Sequence, residues 1–194
     1  IAQEIGFPLV IRPSYTLGGS GGGFCHKAED FEAMLAYGVK CSPIHEVLVE
    51  KAVFGRELEC AVLGNELIEA STVGEIIMEK GFYDFENKYV NNNAKIFIPA
   101  PNISEEQLKK IQQTARKAYY ALGLEGLSRI DVFLTEEEEV IVNEPNTLPG
   151  FTAISMYPKL WEASGLKYAD LIEKLIELAI YRHQKENQLQ RTRL

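Results

Sequence analysis

Two stretches of this chain alternate with a period of two, and they restrict its fold before anything else is considered. Over 56–63, Leu58, Cys60 and Val62 alternate with Glu57, Glu59 and Ala61, and Gly64-Asn65 supplies a two-residue hairpin turn into a strand over 66–73. Over 127–134, Ile130, Val132 and Leu134 alternate with Arg129 and Asp131, and the acidic turn Thr135 to Glu138 leads into a strand over 139–144. A period of two belongs to half-buried strands, with one face in a core and the other free to be polar. Hairpins of such strands pair antiparallel.

The other segments fit that frame. Pro8 to Arg12 is a short β-branched run, 13–22 is loop, Phe24-Cys25-His26 is strand-like, and 45–51 is a strand. Phe31, Met34, Leu35 and Gly38 recur at helical spacing and predict an amphipathic helix over 28–40. A short strand is expected over 95–99. Ser104 with Gln107 forms a capping box ahead of a helix that buries Leu108, Ile111, Ala115, Ala118, Tyr119 and Leu122 and stops at Gly123. Beyond the loop 145–150 come helices over 158–163 and 169–184, then a polar, frayed tail over 185–194. Residues 74–93 have no period and carry Gly74, Gly81 and Asn91 to Asn93, the mark of a functional lid or of disorder.

Composition removes several function classes. With 28 acidic and 20 basic side chains the net charge is −8, which argues against a general nucleic-acid binder. No apolar run reaches the ~20 residues of a membrane span, and no leader pattern is present, so a cytoplasmic protein without a membrane partner is expected. Cys25, Cys41 and Cys60 lack zinc or disulfide spacing.

Three constellations carry candidate chemistry. Gly18, Gly19, Gly21, Gly22 and Gly23, with Ser20 among them and Arg12 upstream, form either a phosphate-covering loop or a flexible linker. The cluster matches neither a P-loop nor the dinucleotide pattern. Its formal G-x-S-x-G lacks the strand and helix that a nucleophile elbow requires. Arg129 and Asp131 share a strand face, and the next strand delivers Glu144 and Asn146 near the same end. Two carboxylates and an amide suit Mg²⁺ sharing its ligands with substrate phosphates, with Arg129 facing a charged substrate; a cross-strand salt-bridge cluster is the alternative. Lys88 lies among Phe82, Tyr83, Phe85 and Tyr89, as an aromatic lid with one cation or as a loop pinned to a core.

Taken together these pieces resemble the ATP-grasp family, whose two α+β lobes with antiparallel sheets clamp ATP, over nearly the whole chain to about residue 182. From residue 50 on, the strings Glu50-Lys51, Gly55-Arg56-Glu57, Tyr83 to Tyr89, Ser128-Arg129-Ile130-Asp131 and Asn143 to Gly150 are similar to the C-terminal part of D-alanine-D-alanine ligases. Residues 1–48, with Gly6-Phe7-Pro8, Ile11-Arg12-Pro13-Ser14, the glycine cluster and Ser42-Pro43, look instead like carbamoyl-phosphate synthetase. A junction between residues 40 and 50 then implies an engineered or recombined chain, with natural divergence as the alternative.

The resemblance implies a small lobe over 1–55, a large lobe over 56–184 and a specific set of roles. Arg12, Gly19, Ser20, Gly21 and Gly22 would hold phosphates; Glu50, Lys51 and Val53 would meet adenine; Glu57 would accept the ribose hydroxyls. Phe82 would close over the nucleotide while Lys88 reaches the phosphates. Asp131, Glu144 and Asn146 would bind two Mg²⁺ ions, or Mn²⁺ in their place. Arg129, Gly150 and Ser155 would bind D-alanine, or another small carboxylate or amine, and the oxyanion. At 194 residues the chain accommodates an ATP clamp but not a complete ligase, so ligation is expected to be weak or lost. The shortened first lobe would expose apolar surface that a second copy could cover, giving a homodimer.

Overall fold

The computed structural model describes residues 2–16, 20–78, 94–152 and 154–188. They sort into two compact units, one running through Phe54 and the other comprising Gly55–Met78 and the residues from Lys95 on.

The first unit contains α1 (Ala2–Ile5), β1 (Leu9–Pro13), β2 (Gly23–Cys25), α2 (Ala28–Cys41) and β3 (Val47–Lys51). Its antiparallel sheet has the order β2-β1-β3. Leu9, Ile11 and Cys25 form the core with Phe31, Met34 and Leu35 of α2, which is the helix stripe read from the sequence. A Cβ at Gly38 would lie 3.2 Å from Ile11 Cγ2 and from Val47 Cγ1, so a glycine there lets α2 lie close on the sheet. Ser42, just past α2, is buried; its hydroxyl donates to the Ser14 carbonyl (2.9 Å) and accepts from the Glu46 amide (3.2 Å), tying two loops together.

In the second unit β4 (Arg56–Gly64), β5 (Glu69–Met78), β6 (Ala94–Phe97), β7 (Gly126–Leu134) and β8 (Val140–Asn146) form a sheet of order β6-β5-β4-β7-β8. The helices are α3 (Glu105–Ala121), α4 (Met156–Ala163) and α5 (Tyr168–Asn187). One sheet face, built from Leu58, Cys60, Val62, Ile130, Val132 and Leu134, packs against Ile111, Ala115 and Tyr119 of α3. The opposite face meets α4 and α5, where Ala61 and Leu63 contact Tyr157, Leu160, Trp161 and Leu171. The fold is therefore α+β with antiparallel sheets, as the family resemblance implies. Both halves of the Ser104 and Gln107 capping box are present.

Several boundaries differ from the sequence reading, each for a local reason. Gly64 stays in β4 at φ 132° and β5 begins at Glu69, so the connection is 65–68 rather than a two-residue turn. Asn65 is a tether instead: its amide nitrogen donates to the Leu178 carbonyl (3.0 Å) and its oxygen accepts from the Gly126 amide (3.0 Å). β5 continues five residues past 73, through Gly74. A Cβ there would come within 2.5 Å of Met156 Cε and 3.1 Å of Leu160 Cδ2, so this glycine marks the close approach of α4 to a strand. β8 runs on through Pro145, which the edge position of that strand permits. α4 begins at Met156, and α5 extends to Asn187 with Lys185 paired to Glu66 at 2.7 Å, so the expected tail starts as helix. No helix among the described residues is long and apolar enough to cross a membrane.

Candidate functional site

On β4 and β7, side chains alternate between the α3 face and the face that meets α4 and α5. Beyond those helices the latter face turns polar, with Glu57 and Glu59 from β4 and Arg129 and Asp131 from β7. Glu59 lies directly opposite Asp131, and Ala61 opposite Arg129.

β8 joins this face through a bulge. Val132 pairs with Val142 but Asp131 pairs with Glu144, leaving Asn143 as the extra residue; Arg129 then pairs with Asn146. Without the bulge Asp131 would face Asn143, and Glu144 would point to the α3 face. Ser128, fully buried, donates its hydroxyl to the Asn146 carbonyl (3.0 Å) and pins the end of β8. The structure thus brings together Arg129, Asp131, Glu144 and Asn146, and adds the two glutamates of β4.

Arg129 is the centre of the set. Its Nε and one terminal nitrogen donate to the two oxygens of Asp131, both at 2.7 Å, and Nε also lies 3.2 Å from Glu59 Oε2. Burial works against the Arg129 charge, but the hydrogen bonds and charge of Asp131, with Glu59 and Glu144, outweigh it and raise its pKa further. Asp131 moves upward from the ordinary carboxylate value: burial pushes it up, Arg129 pulls it down, and the charges of Glu144 and Glu57 push it up again. A region where carboxylates crowd one another in this way favours an added cation. Among the described residues no three His, Cys, Asp or Glu side chains are arranged as a metal cage. Asp131 and Glu144 with the Asn146 amide match the sparser set that Mg²⁺ takes, one or two carboxylates completed by water and phosphate oxygens.

Gly150 and Ser155 also meet. A Cβ on Gly150 would lie 2.7 Å from Ser155 Oγ, which accepts from the Thr152 amide (2.9 Å) and shares a 2.8 Å hydrogen bond with the Thr152 hydroxyl. Next to this loop is a cavity of about 350 Å³, lined by Phe151, Thr152, Pro158, Lys159, Glu162 and Tyr168; it shares no residue with the Arg129 set.

In the first unit Arg12 and Glu50 form a 2.9 Å ion pair on the sheet face away from the core. Phe24, opposite Val10 on that face, stacks on Phe54 with ring centroids 5.8 Å apart. Lys51 alternates to the other side of β3, opposite Leu9. Gly21 sits at φ 77°, where a Cβ would lie 2.4 Å from Cys41 Cβ and 2.7 Å from its sulfur; this glycine is required by packing whatever else the loop does. Ser20, Gly22, Val53 and Glu57 lie among the described residues, whereas Gly19, Phe82 and Lys88 lie outside them.

The sequence reading gave no role to three charged residues, Glu59, Arg56 and Glu75. Glu59 was legible in the alternation that places it beside Glu57. Arg56 and Glu75 form a bidentate pair on the α3 face at 2.9 and 2.7 Å, with Arg56 also donating to the carbonyls of Pro101 and Asn102. No spacing in the sequence announces that contact.

The model of the family described as D-ala D-ala ligase C-terminus matches residues 1–177. A D-alanine-D-alanine ligase of Shouchella clausii is 52% identical over 190 residues, covering 97% of this chain and 51% of that protein. The structure of the VanG D-Ala:D-Ser ligase from Enterococcus faecalis superposes with a TM-score of 0.80 at 36% identity, over 92% of this chain and 51% of that one. The D-alanine-D-alanine ligase of Bacillus anthracis, solved in complex with ATP, shares the fold at 24% identity and a TM-score of 0.74, over 95% of this chain and 57% of that one. This chain spans about half the length of the curated relatives it matches. The match crosses residues 40–50 within one family, so the expected junction and the carbamoyl-phosphate synthetase portion find no support. From its first residues to the middle of α5, the chain belongs to the D-alanine-D-alanine ligase C-terminal family.

Proposed function

We propose that this chain is the nucleotide-binding part of a cytoplasmic, ATP-dependent carboxylate-amine ligase of the D-alanine-D-alanine type. The observation that carries the reading is the bulged pairing that sets Asp131, Glu144 and Asn146 beside Arg129 on one sheet face. Asp131, Glu144 and Asn146 would hold one or two divalent ions, Mg²⁺ or Mn²⁺, which when bound neutralise phosphate charge. Arg129 would hold a carboxylate or the developing oxyanion through donors that Asp131 does not engage. Gly150 would admit substrate where a side chain would strike Ser155, and Ser155 would orient it through its hydroxyl.

Family resemblance further supports Arg12, Gly19, Ser20, Gly21, Gly22 and Lys88 as phosphate ligands. Glu50, Lys51 and Val53 would receive adenine, Phe82 would close over the nucleotide, and Glu57 would accept the ribose hydroxyls. In this chemistry a substrate carboxylate attacks the γ-phosphoryl group, releasing ADP and forming an acyl phosphate. An amine then displaces phosphate to make the new amide. No protein nucleophile is needed, so positioning and electrostatics carry the rate.

Calorimetric titration with a non-hydrolysable ATP analogue tests the reading. Binding should require Mg²⁺ and should lose that requirement, with most of its affinity, in Asp131→Asn and Glu144→Gln. Binding that is absent in the parent chain, or unchanged in both variants, refutes it.

A further inference from the structure

We infer that Glu59 is a positioning residue for Arg129, holding its guanidinium when Asp131 turns toward a cation. This rests on the metal role proposed for Asp131. Glu59 and Asp131 face each other across β4 and β7, an arrangement that repels unless a cation lies between them. Arg129 is that cation, with Nε 2.7 Å from Asp131 and 3.2 Å from Glu59. Both oxygens of Asp131 accept from the guanidinium, so a metal that draws on them competes with Arg129 for the same carboxylate charge and weakens the fork. If Asp131 were the sole anchor, each metal binding would loosen Arg129 as the substrate charge needs it fixed. Glu59 removes that conflict. Its side chain is only 11% exposed, it is carried on the central strand of the sheet, and from the facing strand it stands 3.2 Å from the same Arg129 Nε that donates to Asp131, as an ion pair rather than a hydrogen bond. A carboxylate so buried is costly unless it keeps a counterion, so its hold on Arg129 persists in either state of Asp131.

The direct readout is hydrogen exchange at the Arg129 Nε–H, followed by NMR of the ¹⁵N-labelled chain without metal. Asp131→Asn imitates the turned-away carboxylate. In that variant exchange should stay within about threefold of the parent, because Glu59 still holds the group. Adding Glu59→Gln should then accelerate it about tenfold or more, the size of a lost charge-assisted contact. Glu59→Asp in the same background should restore part of the protection. Equal exchange in Asp131→Asn and in the Asp131→Asn, Glu59→Gln double variant overturns the proposal. These measurements need no nucleotide, so they stand apart from the titration that tests metal and ATP binding.

A second readout uses the parent chain alone. Adding Mg²⁺ with the ATP analogue should leave the Arg129 Nε–H protected, and acceleration to the rate of the double variant would overturn the handover.

Discussion

Replacing Arg129 by methionine keeps most of the side-chain volume and removes the charge that Glu59 and Asp131 share. The three side chains are 18%, 11% and 15% exposed, so two carboxylates would stay in a poorly hydrated place, directly opposite each other. Deleting one partner of a buried ion pair costs roughly 3–5 kcal/mol. Residual solvent contact puts this site near the lower end, about 3 kcal/mol. At a urea slope of about 2 kcal/mol per M, the midpoint should fall by about 1.5 M. The chain has a single tryptophan, and Trp161 is buried in the second unit's core, so its fluorescence reports on the domain that carries the change. The loss should also depend on pH. Asp131 already has a folded pKa above its ordinary value of 3.8, raised first by burial, and removing Arg129 deletes both influences that lower it. A carboxyl whose folded pKa is raised binds its proton more tightly when folded, so it costs stability above that pKa and the cost fades as pH falls toward 3.8. The deficit of Arg129→Met relative to the parent should therefore be largest near neutral pH and shrink in acid. A midpoint at neutral pH within about 0.3 M of the parent, or a deficit that does not change with pH, would refute the account of these charges.

Two further outcomes follow from the packing. Gly21→Ala forces a left-handed backbone and a Cβ into Cys41, which together should cost the first unit about 2–5 kcal/mol. Amide exchange in β1 and β3 should accelerate accordingly, and unchanged protection would show that the loop moves aside. Burial pushes the Cys60 thiol up to about 12, leaving roughly one thiolate in ten thousand at pH 8. Peptide mapping after a brief thiol-alkylating pulse should find the half-buried Cys41 modified and Cys60 intact until urea is added, and equal labelling would contradict the described core.

What could be read from the sequence was set by local rules. The polar faces of β4 and β7, the stripe of α2 and the cap of α3 are each written in residues a few positions apart. The features that escaped depend on partners far along the chain: Asn65 reaching Leu178, Gly74 making room for Met156, Arg56 finding Glu75 and the Pro101 carbonyl. The mosaic reading failed for a related reason. Glycine-rich loop strings look distinctive, yet Gly21 answers to the side chain of Cys41 and to Pro13 Cγ at 3.3 Å, so packing within this unit accounts for that glycine without a separate ancestry. The grouping of Asp131, Glu144 and Asn146 was half legible, because alternation along β8 cannot show that its frame changes at Asn143.

That change of frame divides one short strand between two duties. Val140 and Val142 lie on the α3 side, Val140 packed against its core, whereas Glu144 and Asn146, at the same even spacing, serve the opposite surface. What the lineage must preserve here is the residue count. Losing Asn143 would leave every proposed ligand in the chain and turn Glu144 and Asn146 away from Asp131, whereas exchanging Asn143 for another residue would leave that count intact. Along this segment, a one-codon deletion should be purged far more strictly than a change of side chain.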